Sequence, residues 1–277
     1  MAPEARPGRY TGPLKAVILD WAGTVVDYGS CAPAGVFVEV FARHGVPITM
    51  AQARAPMGSE KRAHIAAIAA MPEVAEAWER VLGRPCTEAD IDAMYKEFVP
   101  LQIDCLPRYA DLIPGTLEAV AEFRKRGMKI GTTTGYNAEM MRILAAEAAH
   151  RGFEPDCIVS SDIVPEARPS PWMAIKAAAL MGAYPMSAIV KIGDTVPDIH
   201  EGLNAGMWTI AVAATGNEMG LSQAEAAALP AQEREERLAR GRARLHAAGA
   251  HYVVDGIANV PPVLDDIEAR LAQGEAP

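Results

Sequence analysis

Ala16-Val17-Ile18-Leu19-Asp20-Trp21-Ala22-Gly23-Thr24 runs four apolar residues into a carboxylate and then into a Gly-Thr turn. An apolar run of this length, closed by a turn signal, predicts a strand buried on both faces of a parallel sheet. The carboxyl ends of such strands are where α/β sheets gather their ligands. Asp20 therefore stands where a nucleophile would sit.

Beyond Asp27 the character of the chain changes. The stretch from Pro33 to Arg108 is rich in helix formers, with apolar spacings such as Val36, Val40 and Phe41, then Ile65, Ile68 and Met71, and it contains no good strand. Pro107 and Pro114-Gly115 punctuate it, after which strands and helices alternate: helix Thr116 to Arg126, strand Met128 to Thr133, helix Ala138 to His150, strand Cys157 to Ser160, helix Pro171 to Met181, and strands Ala188 to Ile192 and Trp208 to Ala213. That alternation predicts a doubly wound parallel α/β core of Rossmann type, closed by right-handed crossovers. The expected division is a catalytic core of residues 1–28 and 109–277 with a helical cap inserted at 29–108, placed to act as a lid over the strand ends. Ser222 to Ala248, rich in Ala, Glu and Arg, reads as a solvated helical face without assigned function, and Tyr252 to Asp255 as a short edge strand.

Composition narrows the functional classes. With 277 residues, half of them hydrophobic, the chain can bury one large core or two unequal ones. A net charge of -9 argues against nucleic acid as a partner, because such binders carry basic surface to neutralise phosphates. Met1 to Pro13 holds two arginines but no apolar core of a signal peptide, and no run of about 20 apolar residues predicts a membrane span. Cys31, Cys86, Cys105 and Cys157 form no CxxC pair, so free thiols and a cytoplasmic location are expected. Cys31 lies near the first motif, where it reads as a buried inert thiol or as a lining residue.

Three further segments fall at strand ends. In Gly131-Thr132-Thr133-Thr134-Gly135-Tyr136, a hydroxyl and backbone N–H groups at a helix start are suited to phosphate oxygens. Arg168, in Ala167-Arg168-Pro169-Ser170, is a fixed cation ahead of a helix. Ile192-Gly193-Asp194-Thr195-Val196-Pro197-Asp198 ends a strand in two carboxylates four residues apart. Magnesium asks for hard oxygen ligands, and Asp194 with Asp20 meets that need. Asp198 either reaches the metal through water or caps the next helix.

In their order and placement these segments resemble the haloacid dehalogenase superfamily. The resemblance implies Asp20 as a nucleophile forming an aspartyl-phosphate, Thr134 and Gly135 on the phosphoryl group, Arg168 in place of the usual Lys, and magnesium held by Asp20 and Asp194. Position 22, where the superfamily usually carries an acid that protonates an oxygen leaving group, is Ala22, which implies a different leaving group. Within the superfamily, Asp20 to Thr24, Pro56-Met57-Gly58, Leu106 to Tyr109, Thr133 to Tyr136, Gly193 to Thr195 and Ala205 to Thr209 look like the phosphonoacetaldehyde hydrolase (phosphonatase) family, which cleaves a carbon–phosphorus bond.

That closer resemblance gives Lys61 a role. Alone it is one of 26 basic residues, and a helix lysine usually snorkels into water. In the family a cap lysine forms a Schiff base with the substrate aldehyde, so that carbon leaves phosphorus as an enamine and no acid is needed at position 22. Such a lysine needs burial or nearby positive charge to free its amine, and Arg62 is the adjacent candidate for the charge. His64, three residues on, either relays protons during imine formation or is a structural histidine. By resemblance, Ala22 gives its backbone carbonyl to magnesium, while Met57 and Tyr136 either shape the pocket or pack the core. Ser30 stands where the family often has Cys, and Ser59-Glu60 replaces an apolar pair before the lysine. The resemblance also implies a small phosphonate as substrate and a homodimer. Rival readings are a phosphate-ester phosphatase, which Ala22 opposes, and an inactive binding protein, which the joint presence of Asp20, Lys61, Arg168 and Asp194 opposes.

Overall fold

The computed structural model describes residues 9–277; residues 1–8, the beginning of the Met1 to Pro13 stretch and of the expected 1–28 segment, lie outside the described residues. Six parallel strands form one sheet: β1 (Ala16–Leu19), β2 (Lys129–Thr134), β3 (Cys157–Ser160), β4 (Ile189–Gly193), β5 (Trp208–Val212) and β6 (Tyr252–Val254), in the spatial order β3-β2-β1-β4-β5-β6. Every residue of β1, β4 and β5 is buried, as strands covered on both faces must be. The order reverses between β1 and β4, so the crevice at their carboxyl ends is the topological switch point. Asp20 follows β1 there and Asp194 follows β4.

Between β1 and β2 lie six helices. The first five are α1 (Cys31–Arg43), α2 (Met50–Arg54), α3 (Lys61–Ala69), α4 (Pro72–Leu82) and α5 (Glu88–Cys105), with α1 and α3 both packed on α5 and no strand among them. α6 (Thr116–Lys125) then returns the chain to the sheet. The start of α1 is fixed by Asp27, whose two carboxylate oxygens accept from Cys31 N and Ala32 N at 3.0 Å each, taking up donors that a helix start leaves open. Trp78 of α4 is fully buried and stacks on His44, which anchors the helical layer; truncating it to Ala would cost about 3–5 kcal/mol.

The remaining helices are α7 (Ala138–His150), α8 (Trp172–Met181), α9 (Val196–Asn204), α10 (Gln223–Ala228), α11 (Ala231–Ala247) and α12 (Val260–Ala272). The expected solvated stretch from Ser222 to Ala248 is the pair α10 and α11, separated at Leu229-Pro230, and the expected edge strand is β6. One apolar interior runs from Ile130 and Leu144 beside the sheet through Trp21 to Phe37 and Phe98 of the helical layer. No helix among the described residues is long and apolar enough to cross a membrane, and the four cysteines are unpaired.

Candidate active site

Asp20 is held just past β1 by its backbone N–H, which donates to the Ile192 carbonyl at 2.9 Å and carries the sheet ladder one residue further. Its side chain is buried, and Oδ1 accepts from Arg168 Nη2 at 2.9 Å. Burial pushes its pKa up while Arg168 pulls against that. Asp194, fully buried at the end of β4, receives Asn217 N at 2.8 Å and Ser30 Oγ at 3.0 Å on Oδ2. Burial, then the neighbouring Asp20 charge, holds its carboxyl well above the usual range. Two desolvated carboxylates this close call for a cation between them.

Carboxylate oxygens of Asp20, Asp194 and Asp198 lie within 4.8 Å of one another. Asp198 is not a spare ligand, however. Its Oδ1 is paired with Lys191 Nζ at 2.6 Å and Arg168 Nη1 at 2.9 Å, and its Oδ2 accepts from Thr195 N and Oγ1, closing the capping box at the start of α9. The helix-capping alternative for Asp198 is therefore present. Burial raises Asp198, but the two cations outweigh it and leave the carboxyl below its ordinary value. Across the cluster Asp20, Asp194, Asp198 and Glu201 stand against Arg168 and Lys191, an excess of negative charge that suits a divalent cation held by hard oxygen donors.

A small cavity of about 20 Å³ joins the sheet ends to the helical layer, lined by Asp20, Ala22, Thr134, Gly135, Tyr136 and Arg168 on the sheet side and by Ser30, Met57, Gly58 and Lys61 on the helical side. Eight of the residues singled out from sequence thus meet on one space. The two sides touch closely. A Cβ on Gly135 would stand 2.5 Å from the Ser59 carbonyl oxygen, and one on Gly58, at φ +94°, would stand 2.1 Å from Thr195 Oγ1. A larger cavity of about 500 Å³ lies against α10 and α11, where Arg242 is already paired with Glu235 and Asp255, and it contains none of the reacting groups.

Lys61 is the first residue of α3, positioned by Glu60, whose carboxylate caps the helix by accepting from Arg62 N and Ala63 N at 2.8 Å each. The departure from an apolar residue at position 60 is thus accounted for as a cap. Lys61 is buried, with Nζ 4.8 Å from the ring centre of Tyr136 and 5.8 Å from that of Phe37. Burial brings its pKa down to about 8, against the pull of Asp20 and Glu60. The cation that adds to this lowering is Arg168; Arg62, next in sequence, turns its guanidinium outward to Glu88 and Asp92, both at 2.6 Å. His64 does not line the cavity. It is stacked on Phe37, its Nε2 donates to the Ala53 carbonyl at 2.8 Å, and Nδ1 has no partner among the described residues. Burial, reinforced by the Lys61 charge, lowers its pKa to about 3, so the ring is neutral near pH 7.

Sequence reasoning missed Thr133, Lys191, Glu201 and Asn217. Asn217 joins the sheet ends to the helical layer: its N–H holds Asp194 while its side chain exchanges hydrogen bonds with Arg54 of α2 at 3.1 and 3.3 Å. Ser30, noted only as a departure, binds Asp194. Cys31 lies outside this cavity, half-buried beside Arg54, with burial raising its thiol.

Residues 14–206 match the family model of haloacid dehalogenase-like hydrolases. Over its whole length the chain is 49% identical to a phosphonoacetaldehyde hydrolase of Nitratidesulfovibrio vulgaris, covering 99% of that protein. It is 48% identical to the Paraburkholderia phytofirmans protein of the same name over 95% of this chain and 99% of that one. The crystal structure of a phosphonoacetaldehyde hydrolase-like protein from Oleispira antarctica superimposes with a TM-score of 0.96 at 39% identity, covering 99% of both chains.

Proposed function

This chain belongs to the haloacid dehalogenase-like hydrolases, in the phosphonoacetaldehyde hydrolase family, and from that premise we propose that it hydrolyses phosphonoacetaldehyde to acetaldehyde and phosphate. The observation that supports this reading most is that a buried lysine amine and the Asp20 carboxylate line one cavity in which position 22 offers no acid.

In the proposed course the Lys61 amine adds to the substrate aldehyde and water leaves, giving an iminium beside the carbon that carries phosphorus. Starting from the neutral amine this step takes up one proton, which departs with the aldehyde oxygen as water; His64, stacked on Phe37 outside the cavity with its ring held neutral, fits its structural reading better than a proton relay. Asp20 then attacks phosphorus; the carbon–phosphorus bond breaks and its electron pair moves into the iminium, so carbon departs as a neutral enamine. The enamine takes a proton on carbon, water hydrolyses the resulting iminium to acetaldehyde and free Lys61, and a second water cleaves the aspartyl-phosphate to phosphate and Asp20. Arg168, with Thr134 and the Gly135 backbone, binds the phosphoryl oxygens, while Met57 and Tyr136 enclose the two-carbon unit. Asp20, Asp194 and the Ala22 carbonyl would hold magnesium, with Asp198 reaching it through water. That ion supplies the positive charge that lets a carboxylate approach a phosphonate dianion.

The division into a core of residues 1–28 and 109–277 and a cap of 29–108 belongs to the same proposal. A cavity of about 20 Å³ has room for about one water and none for a phosphonate, so the cap must part from the core to admit substrate. We also propose a cytoplasmic homodimer. Ile163, Trp172, Ile175, Leu180 and Tyr184 leave large apolar surface exposed on and around α8, which supports self-association there.

The test is acetaldehyde and phosphate release from phosphonoacetaldehyde with magnesium, with p-nitrophenyl phosphate as the comparison. Equal amounts of the two products and little ester cleavage are expected; ester cleavage without acetaldehyde would replace this reading with a phosphatase.

A further inference from the structure

Beneath the nucleophile lies a buried charge group that the course above leaves unused. Glu201, on α9 and wholly inaccessible, directs Oε2 at Arg168 Nε (2.8 Å) and Thr133 Oγ1 (2.9 Å), with Lys191 Nζ at 3.5 Å. Lys191 projects from the middle of β4 and also pairs with Asp198. Two buried carboxylates and a buried lysine, all out of reach of solvent, carry a desolvation cost that demands close mutual pairing. Their common neighbour is Arg168.

A guanidinium is a rigid planar fork, and its two ends can be engaged separately. In Arg168 the Nε end is held by Glu201, whereas Nη2 donates to Asp20 Oδ1 at 2.9 Å and to the Thr133 carbonyl at 2.7 Å. We propose that Glu201 is a positioning residue that holds Arg168 by its Nε end so that the opposite end faces the phosphoryl site, with Lys191 offsetting the carboxylate charge that would otherwise absorb the arginine's. An ammonium has no second end to hold, so this arrangement fits an arginine at position 168 and not a lysine. The inference rests on the reading that Arg168 binds the phosphoryl group.

The probe is orthovanadate with magnesium, a mimic of the transferring phosphoryl group, measured as an inhibition constant in the wild type, Glu201→Ala, Glu201→Gln, Arg168→Ala and the double variant Arg168→Ala/Glu201→Ala. Loss of one charge-assisted contact that positions Arg168 should weaken vanadate about 10- to 100-fold in Glu201→Ala. Glu201→Gln, nearly isosteric and keeping an oxygen for Nε, should fall between it and the wild type, and guards against a folding defect. Borohydride trapping of acetaldehyde on Lys61 should be unchanged in both. The double variant should bind vanadate no worse than Arg168→Ala, because Glu201 acts only through the arginine. Unaltered vanadate binding in Glu201→Ala, additive losses in the double variant, or parallel loss of Lys61 trapping would overturn the proposal. Unaltered vanadate binding in Arg168→Ala would instead overturn the reading of Arg168 beneath it.

Discussion

At the scale of single residues, the Lys61 amine is loosened by burial against Tyr136 and Phe37, with Arg168 adding to it, while Arg62, its neighbour in sequence, is spent outward on Glu88 and Asp92. Its pKa near 8 sets a sign. Adduct formation requires the neutral amine, so the rate of borohydride trapping with acetaldehyde should rise with pH around a midpoint near 8, well below the value of about 10.4 for an ordinary lysine. Arg62→Ala should leave that midpoint in place, and a clear rise would show that Arg62 does act on the amine. The same shift bears on stability. Between pH 8 and about 10.4 the unfolded chain holds the proton that the folded chain has lost, so this group favours folding more as pH rises through that window. Lys61→Arg should lower turnover on the order of 10⁴-fold or more with little change in melting temperature, because a guanidinium forms no Schiff base; near-normal turnover would remove the lysine from the mechanism. Asp20, Arg168 and Asp194 were legible because each stands at a strand end or ahead of a helix in a patterned segment, and Lys61 only through the family resemblance. Lys191 and Glu201 were not, because a lone lysine in an apolar strand and a glutamate on a helix both read as solvent-facing until α9 closes over β4.

At the scale of elements, the helical layer meets the sheet ends through loops, and glycines permit the approach. In Gly135→Ala the added methyl would meet the Ser59 carbonyl, a backbone atom that cannot swing aside. Displacing the loop that precedes Lys61 by an ångström should lower kcat/KM on the order of 100-fold, with the melting temperature nearly constant. Wild-type kinetics in that variant would mean that the loop does not seat there during turnover. Asp27→Ala removes both acceptors at the start of α1 and should cost about 1–2 kcal/mol or more in urea unfolding, given that the site is buried. Strands and helices with clear period were read closely: α7 and β3 fall at Ala138–His150 and Cys157–Ser160, the bounds expected. The last helix, α12, went unread. Its opening Val260-Pro261-Pro262 looks like a break, yet proline is tolerated in a first helical turn, and Leu264, Ile267 and Leu271 supply the buried stripe.

At the scale of the whole molecule, the proposed mechanism takes its carboxylates from the sheet ends and, from the helical layer, the lysine whose iminium would receive the electron pair from carbon, so on that reading neither part carries the chemistry alone. The run of helices without a strand could be read from where the alternating pattern breaks, whereas the closeness of the helical layer to the sheet ends could not: Asn217, which holds Asp194, reaches Arg54 across 163 positions of sequence. On the proposed reading, self-association runs through α8 and its flanks. Trp172 and Tyr184, 47% and 74% exposed, are the largest apolar groups there, and replacing both with Asp should halve the mass seen by light scattering; an unchanged mass would place the interface elsewhere. The central claim is that the bond to phosphorus breaks while its carbon is joined to Lys61. The most direct test is to add borohydride during turnover of phosphonoacetaldehyde and map the product by peptide mass spectrometry. A stable two-carbon adduct on Lys61 alone, formed in step with loss of activity and absent from Lys61→Arg, is predicted; continued turnover in borohydride with no adduct at Lys61 would contradict the account.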